Sequence, residues 1–188
     1  QRYKSKIPII FDGKRGDIGR TSEAYSREIF EFWGAHAATI SPYMGEDSVK
    51  PFLREGKITY VLCKTSNAGS KDFQELKVGG TPLYERIAKK AHEWNCGLVV
   101  GATGDAAKTI KKIIKIAPNA PLLIPGVGTQ GGDLEGVLSA LKGKNFTLHR
   151  INASSSIAYA AEKTGGKPAN AAVKEAEKMN KSIRKYLE

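Results

Sequence analysis

Short apolar runs alternate with longer amphipathic segments along almost the whole chain. Ile7–Phe11, Ala37–Ile40, Ile58–Cys63, Gly97–Val100, Pro121–Ile124 and Thr147–Asn152 are brief and continuous, as strands buried on both faces are. Between and after them, Ser22–Trp33, Ser48–Glu55, Leu83–Trp94, Ala106–Ile116, Leu134–Leu141 and Pro168–Leu187 predict helices, the first with Thr21 as its N-cap. Strict strand–helix alternation argues an α/β fold with a parallel sheet covered by helices.

The polar residues are distributed one-sidedly. Segments rich in Gly, Ser or charge follow strands: 12–19, 65–70, 101–105, 125–132 and 152–156. The segments after helices are plainer. A (β/α)₈ barrel, whose site is built from the loops at the C-terminal ends of its strands, has this pattern. A barrel needs eight units and the periodicity supplies about six. The sheet is therefore either open and doubly wound, or a barrel whose first two units this chain lacks; periodicity leaves both open.

Composition narrows the classes. No apolar run approaches the roughly 20 residues needed to span a bilayer, and no secretory leader is visible, so a cytoplasmic protein with no membrane partner is expected. Cys63 and Cys96 lie singly in apolar runs and read as reduced core residues. The formal charge of +11 raises nucleic acid as a partner. The basic residues are spread at helical spacing, as on a solvated face, and no interleaved aromatics or recognised module accompany them, so no nucleic-acid partner is expected. A phosphorylated small substrate also suits a positive protein.

The candidate chemistry begins where the first run ends, in Asp12-Gly13-Lys14-Arg15-Gly16-Asp17. Residues two apart on a strand point the same way, so Asp12 and Lys14 project together if the strand continues. A lysine beside carboxylates stays protonated and can deliver a proton; the plainer reading is a surface ion pair of little worth. Pro125-Gly126-Val127-Gly128-Thr129-Gln130-Gly131-Gly132 contains Gly-x-Gly-x-x-Gly. It comes late and lacks the acidic residue about 20 positions on that a dinucleotide fold requires. A phosphate-gripping turn fits better, with donors from glycine-freed N–H groups, Gln130 and the helix start before Leu134. Thr65–Ser70 and Asn152–Ser156 offer hydroxyls and amides that ordinary loop chemistry also explains. His36, His92 and His149 are scattered without ligand spacing and read as structural. No Gly-x-Ser-x-Gly elbow is present.

Taken in order, Asp12–Thr21, Ser41–Ser48, Lys64–Gln74, Val99–Thr103 and Pro125–Gly132 resemble the orotidine 5′-monophosphate decarboxylases, in the subgroup with an Asp-x-Lys-Arg-Gly-Asp motif. The resemblance covers nearly the whole chain. It implies a (β/α)₈ barrel acting as a homodimer with shared active sites, converting orotidine 5′-monophosphate to UMP without metal or organic cofactor. Lys14 then matches the lysine that protonates C6, and Asp12 the carboxylate beside the scissile group. Asp17 and Thr21 match residues donated by the neighbouring subunit. Ser66 matches the serine that reads the pyrimidine edge, Gln130 a phosphate ligand, and Pro125, Gly126 and Gly128 the turn that shapes its loop. The family's further lysine, on the strand before Asp12, and a ribose-binding aspartate have no counterpart here. The expectation is a chain holding barrel units three to eight as one domain over residues 1–188, with weak or no activity alone. Ser155 stands where the family usually places a phosphate-binding arginine; Ser154 and Ser155 could offer uncharged donors. The alternatives are a Mg²⁺-dependent sugar-phosphate decarboxylase of the same superfamily and a non-catalytic nucleotide-phosphate binder.

Overall fold

The computed structural model describes residues 7–127, 133–143 and 145–186. The sheet strands are β1 (Ile10–Arg15), β2 (Ala37–Ile40), β3 (Ile58–Lys64), β6 (Gly97–Val100), β7 (Leu122–Pro125) and β8 (Arg150–Asn152). A separate two-stranded hairpin, β4 (Lys77–Val78) and β5 (Thr81–Pro82), lies between β3 and β6. The main helices are α1 (Gly19–Arg27), α2 (Glu46–Val49), α3 (Leu83–Glu93), α4 (Ala106–Ile116) and α5 (Leu134–Leu141). After β8 come α6 (Ser155–Ala158), α7 (Ala160–Thr164) and α8 (Pro168–Arg184).

The sheet order is β1-β2-β3-β6-β7-β8, parallel throughout. The strands lie side by side in chain order, with no point at which the order reverses. A doubly wound sheet has such a switch point; a barrel does not. The winding therefore settles the alternative that periodicity left open, in favour of barrel architecture with six strands among the described residues.

Burial follows strand parity. One face packs Ala38, Ile40, Val61, Cys63, Leu98, Val100, Leu122 and Ile124 against helix residues such as Ile29, Ala88, Ile110, Ile113 and Val137 in the main core. The alternate positions Ala37, Tyr60, Val99 and Leu123, with Ile10 and Leu62 beside them, form a smaller cluster on the inner face. Asp12 and Thr39 continue the inner parity of Ile10 and Ala37.

Several boundaries differ from the sequence reading. The first strand runs Ile10–Arg15 rather than Ile7–Phe11. Pro8 has no N–H to donate, and the Ile9 N–H is taken by His36 Nδ1 at 3.0 Å, so pairing starts later. It then continues through the charged triplet. Thr21 is not an N-cap: α1 starts at Gly19, and Thr21 lies inside its first turn. That helix passes into a π-helical turn at Glu28–Phe32. The helix expected over Ser48–Glu55 is α2 plus a 3₁₀ turn at Lys50–Phe52. The last strand is shortened to Arg150–Asn152, because Phe146–Leu148 forms a 3₁₀ turn. His149 precedes it, buried, its Nδ1 accepting the Leu122 N–H at 3.2 Å. Both cysteines are free and buried, and burial pushes the Cys96 thiol up to about 12.

Candidate active site

The charged triplet sits at the C-terminal end of β1, and the local backbone there is irregular. β1 pairs with β2 at Phe11↔Ala38 and next at Arg15↔Ile40, so four steps along β1 match two along β2. The two additional residues form a bulge, and Lys14 within it has φ +46°, a left-handed conformation that a lysine rarely adopts. The pairing of Asp12 with Lys14 was expected from strand alternation alone. The bulge is what places the two side chains together: the Lys14 ammonium donates to Asp12 Oδ1 at 2.8 Å and Oδ2 at 2.7 Å. About half of each side chain remains exposed, 49% for Lys14 and 55% for Asp12, so the pair faces an open mouth.

Two neighbours hold this arrangement. Thr39, fully buried on β2, donates its hydroxyl proton to Asp12 Oδ1 at 2.8 Å and accepts the Lys14 N–H at 3.0 Å. Arg15 turns toward the helices. Its guanidinium lies 4.7 Å from the Tyr25 ring and bonds both carboxylate oxygens of Glu28, at 3.2 and 3.0 Å. One flank of Lys14 is thus tied to the sheet and the other to α1.

The β3 end forms the second part of the mouth. Ser66 is exposed, and its carbonyl accepts the Thr103 hydroxyl at 3.1 Å. Gly101, at the end of β6, comes so close that a Cβ there would lie 2.8 Å from both Ser66 Cβ and Ser66 N. Gln74 clamps the loop, its Oε1 accepting the Thr65 N–H and its Nε2 donating to the Thr65 hydroxyl, both at 2.8 Å. Lys64 donates to Ser70 Oγ at 2.7 Å and pairs with Glu75 at 3.0 Å. A cleft of about 800 Å³ opens beside this loop, walled by Lys64, Ser66, Tyr84, Thr103 and Lys112 among others. It includes Ser66 and not the Asp12–Lys14 pair.

The remaining expected site residues are not gathered by this chain alone. The Asp17 carboxylate accepts the N–H of Ile18 at 2.8 Å, and no hydrogen bond or ion pair joins it to Lys14. Thr21 is exposed on α1. Pro125 closes β7 and its carbonyl accepts the Ala102 N–H at 2.9 Å; Gly126 follows with φ +92°. Gly128 and Gln130 lie outside the described residues. The start of α5, expected to offer N–H donors to phosphate, is instead capped from within, Asp133 Oδ1 accepting the Gly136 N–H at 2.8 Å. A carboxylate at that position repels an anion. Ser154 precedes α6 and Ser155 opens it. Arg150 folds back onto the carbonyls of Thr147 and His149, at 2.7 and 2.9 Å.

Sequence reasoning missed Thr39, Gln74 and Lys64. Thr39 reads as a β-branched strand filler. Its signal is parity: it is the polar residue on the inner face of the strand following the triplet.

Residues 2–181 match the model of the orotidine 5′-phosphate decarboxylase / HUMPS family. The chain is 48% identical over 166 residues to the orotidine 5′-phosphate decarboxylase of Janthinobacterium sp. (strain Marseille), covering 85% of this chain and 60% of that protein. It is 49% identical over 160 residues to that of Cupriavidus metallidurans, covering 82% and 58%. Among solved structures, Leishmania donovani OMP decarboxylase superposes with a TM-score of 0.79 at 41% identity, covering 95% of this chain and 69% of that one. The chain thus spans about three fifths of the length of these curated relatives. With the family's sheet winding, and a lysine and an aspartate paired at the end of a strand, the chain belongs to the orotidine 5′-phosphate decarboxylase / HUMPS family.

Proposed function

We propose that this chain carries the proton-donating half of an orotidine 5′-monophosphate decarboxylase site, which forms UMP and CO₂ in pyrimidine biosynthesis. The observation that carries the reading is the Lys14 ammonium, held on both oxygens of Asp12 at the mouth end of a barrel strand. In the proposed step the bond from C6 to the carboxylate carbon breaks and CO₂ leaves. The electron pair stays on C6, and Lys14 Nζ donates a proton to it. A carbanion of this kind is very basic in water, so a fixed cation beside it lowers the barrier electrostatically. Asp12, next to the departing carboxylate, adds repulsion that is relieved as CO₂ leaves. Ser66, exposed beside the cleft, is proposed to read the pyrimidine edge. Pro125, Gly126, Gly128 and Gln130 are proposed to close over the phosphate, with Ser154 and Ser155 as uncharged donors. The scheme needs neither metal nor organic cofactor.

The working unit is proposed to be a homodimer, with Asp17 and Thr21 reaching the neighbour's substrate. Both lie near the mouth without touching their own Asp12–Lys14 pair. Exposed apolar side chains, Ile18 beside Asp17 and Tyr43 in the loop after β2, supply a surface for such contact. A complete barrel also includes two strands beyond these six, which the open sheet edges can accept.

The test follows the absorbance change on orotidine 5′-monophosphate, with the chain alone and as part of a complete barrel. Turnover by the complete barrel, unaffected by EDTA, is expected. EDTA sensitivity instead supports the Mg²⁺-dependent sugar-phosphate relative. Binding of UMP without turnover by the complete barrel supports a non-catalytic binder and overturns the reading.

A further inference from the structure

We infer that Thr39 is a positioning residue for the Asp12–Lys14 pair, acting through the backbone of Lys14 as well as the carboxylate of Asp12. Its kinetic consequence rests on the decarboxylase reading; its geometry does not.

Three independent features meet at this hydroxyl. The first is the two-residue bulge in β1, which breaks the β1–β2 ladder between Phe11 and Arg15. A bulge leaves backbone groups without their ladder partners. The Lys14 N–H is one of these, and it is satisfied by the Thr39 side chain at 3.0 Å rather than by a carbonyl of β2. The second is the conformation of Lys14, at φ +46°. A non-glycine residue persists in this region only when its surroundings over-determine it. The Thr39 bond is one such determinant, and the Arg15–Glu28 pair on the opposite flank is another. The third is the proton balance of the hydroxyl. Thr39 has one proton, and by accepting from Lys14 N it is left to donate that proton to Asp12 Oδ1 at 2.8 Å. The Asp12 carboxylate is therefore held at one oxygen by both Thr39 and the Lys14 ammonium, and at the other by the ammonium alone.

Burial makes the arrangement directional. Thr39 is fully buried in a strand whose four residues are all buried, so its hydroxyl cannot swing out to water. The charged pair it holds is about half exposed and has no comparable packing of its own. Rigidity thus passes from the core to the mouth through one side chain. A ring of atoms runs from Thr39 to Lys14 N, along the bulge and the Lys14 side chain to Asp12, and back to Thr39. Its role is to fix where the ammonium stands, and the hydroxyl itself need not touch substrate.

The test uses Thr39→Val, which keeps shape and β-branching and removes the hydroxyl, beside Thr39→Ser, which keeps the hydroxyl. Crystal structures of both and steady-state kinetics of both in the complete barrel are compared with the parent. In Thr39→Val, Lys14 is expected to leave the positive-φ region or the Asp12–Lys14 pair to open. The kcat is expected to fall about 100-fold, the scale of a misplacement near 1 Å, with KM for the nucleotide nearly unchanged. Thr39→Ser is expected to restore kcat to within a few-fold. A merely structural role lowers the melting temperature without this kcat-against-KM split. Unchanged Lys14 backbone and pair geometry in Thr39→Val overturns the inference, as does an unchanged kcat. If Thr39→Val does not fold, the smaller Thr39→Ala takes its place with the same two readouts. Failure of the parent barrel to turn over the nucleotide overturns the decarboxylase reading only; the crystallographic arm still decides the role of Thr39.

Discussion

Two strands of this sheet bulge as they reach the mouth, and each places a lysine at the irregularity. β1 loses register between Phe11 and Arg15 and carries Lys14; β3 loses register between Leu62 and Lys64 and ends on Lys64. Their fates differ. Lys64 is 15% exposed, bonded to Ser70 and Glu75 of the loop that follows, and so fastens that loop down. Lys14 is 49% exposed, and its acidic partner lies on its own strand, facing the same opening. One ammonium serves internal structure; the other is held in place and left accessible. A strand-end lysine is thus not informative by itself. What matters is where its carboxylate comes from: a partner in the following loop makes a staple, whereas a partner two residues back on a clamped bulge leaves the pair open to the mouth.

The comparison breaks most visibly at Lys14. Lys14→Ala is expected to lower kcat of the complete barrel by at least about 10⁴-fold, since it removes what the proposed mechanism uses as both proton donor and cation beside the carbanion. Binding of a UMP analogue, measured by calorimetry, should survive, and the melting temperature should hold because the pair is solvent-exposed. Substantial activity in Lys14→Ala would sink the mechanism. Mixed dimers of Lys14→Ala with Asp17→Ala should recover part of the activity, because one of the two sites then has both residues intact. No recovery in verified heterodimers would remove the shared-site proposal.

Next in size is Gly101→Ala. The added Cβ would meet Ser66 Cβ and N at 2.8 Å, and backbone cannot yield as a flexible side chain does. Overpacking of this kind costs about 1–3 kcal/mol. Here it should displace the Ser66 loop, raising KM by about tenfold while leaving kcat at saturation closer to normal. Smaller still is Lys64→Met, which keeps the stem and deletes the charge. Loss of a partly buried ion pair and one hydrogen bond costs about 1 kcal/mol, or about a fivefold rise in KM with kcat maintained. A Lys64→Met variant as inactive as Lys14→Ala would erase the distinction between the two lysines.

The contrast also marks what the sequence could and could not reveal. The strands Ala37–Ile40 and Gly97–Val100 were legible to the residue, because continuous apolar runs in a doubly covered sheet depend on local composition. The hairpin went unread: periodicity predicts no strand there, although Gly79 and Gly80, both with positive φ, form the two-residue turn between Val78 and Thr81. The bulge was not legible. It exists only as a mismatch between β1 and a neighbour over 20 residues away, and a single strand's pattern cannot report its partner's register. Thr39 was hidden for the same reason. The capped start of α5 was misread because glycine richness drew attention to the turn, while Asp133, an N-cap by type, already occupied the donor.

The smallest expected effect concerns the far end of the sheet, where a third device serves stability only. His149 is buried and uses the lone pair of its Nδ1 to accept the Leu122 N–H, so the fold requires neutral imidazole. Burial, with the Arg150 charge nearby as a lesser cause, holds its pKa below the usual 6.5. In the window between that depressed value and 6.5 the unfolded chain binds a proton that the folded chain does not, so stability rises with pH there. The contribution is complete above about pH 6.5 and is lost as pH falls toward the folded value. Melting temperatures from pH 7.5 downward should therefore decline more steeply for the parent than for His149→Asn, whose amide oxygen can accept the same N–H without titrating. Because His149 lies at the opposite end of the strands from Lys14, the two proteins should show the same pH dependence of kcat over the range where both are folded; a shift in that profile would mean that the two ends of the sheet are coupled.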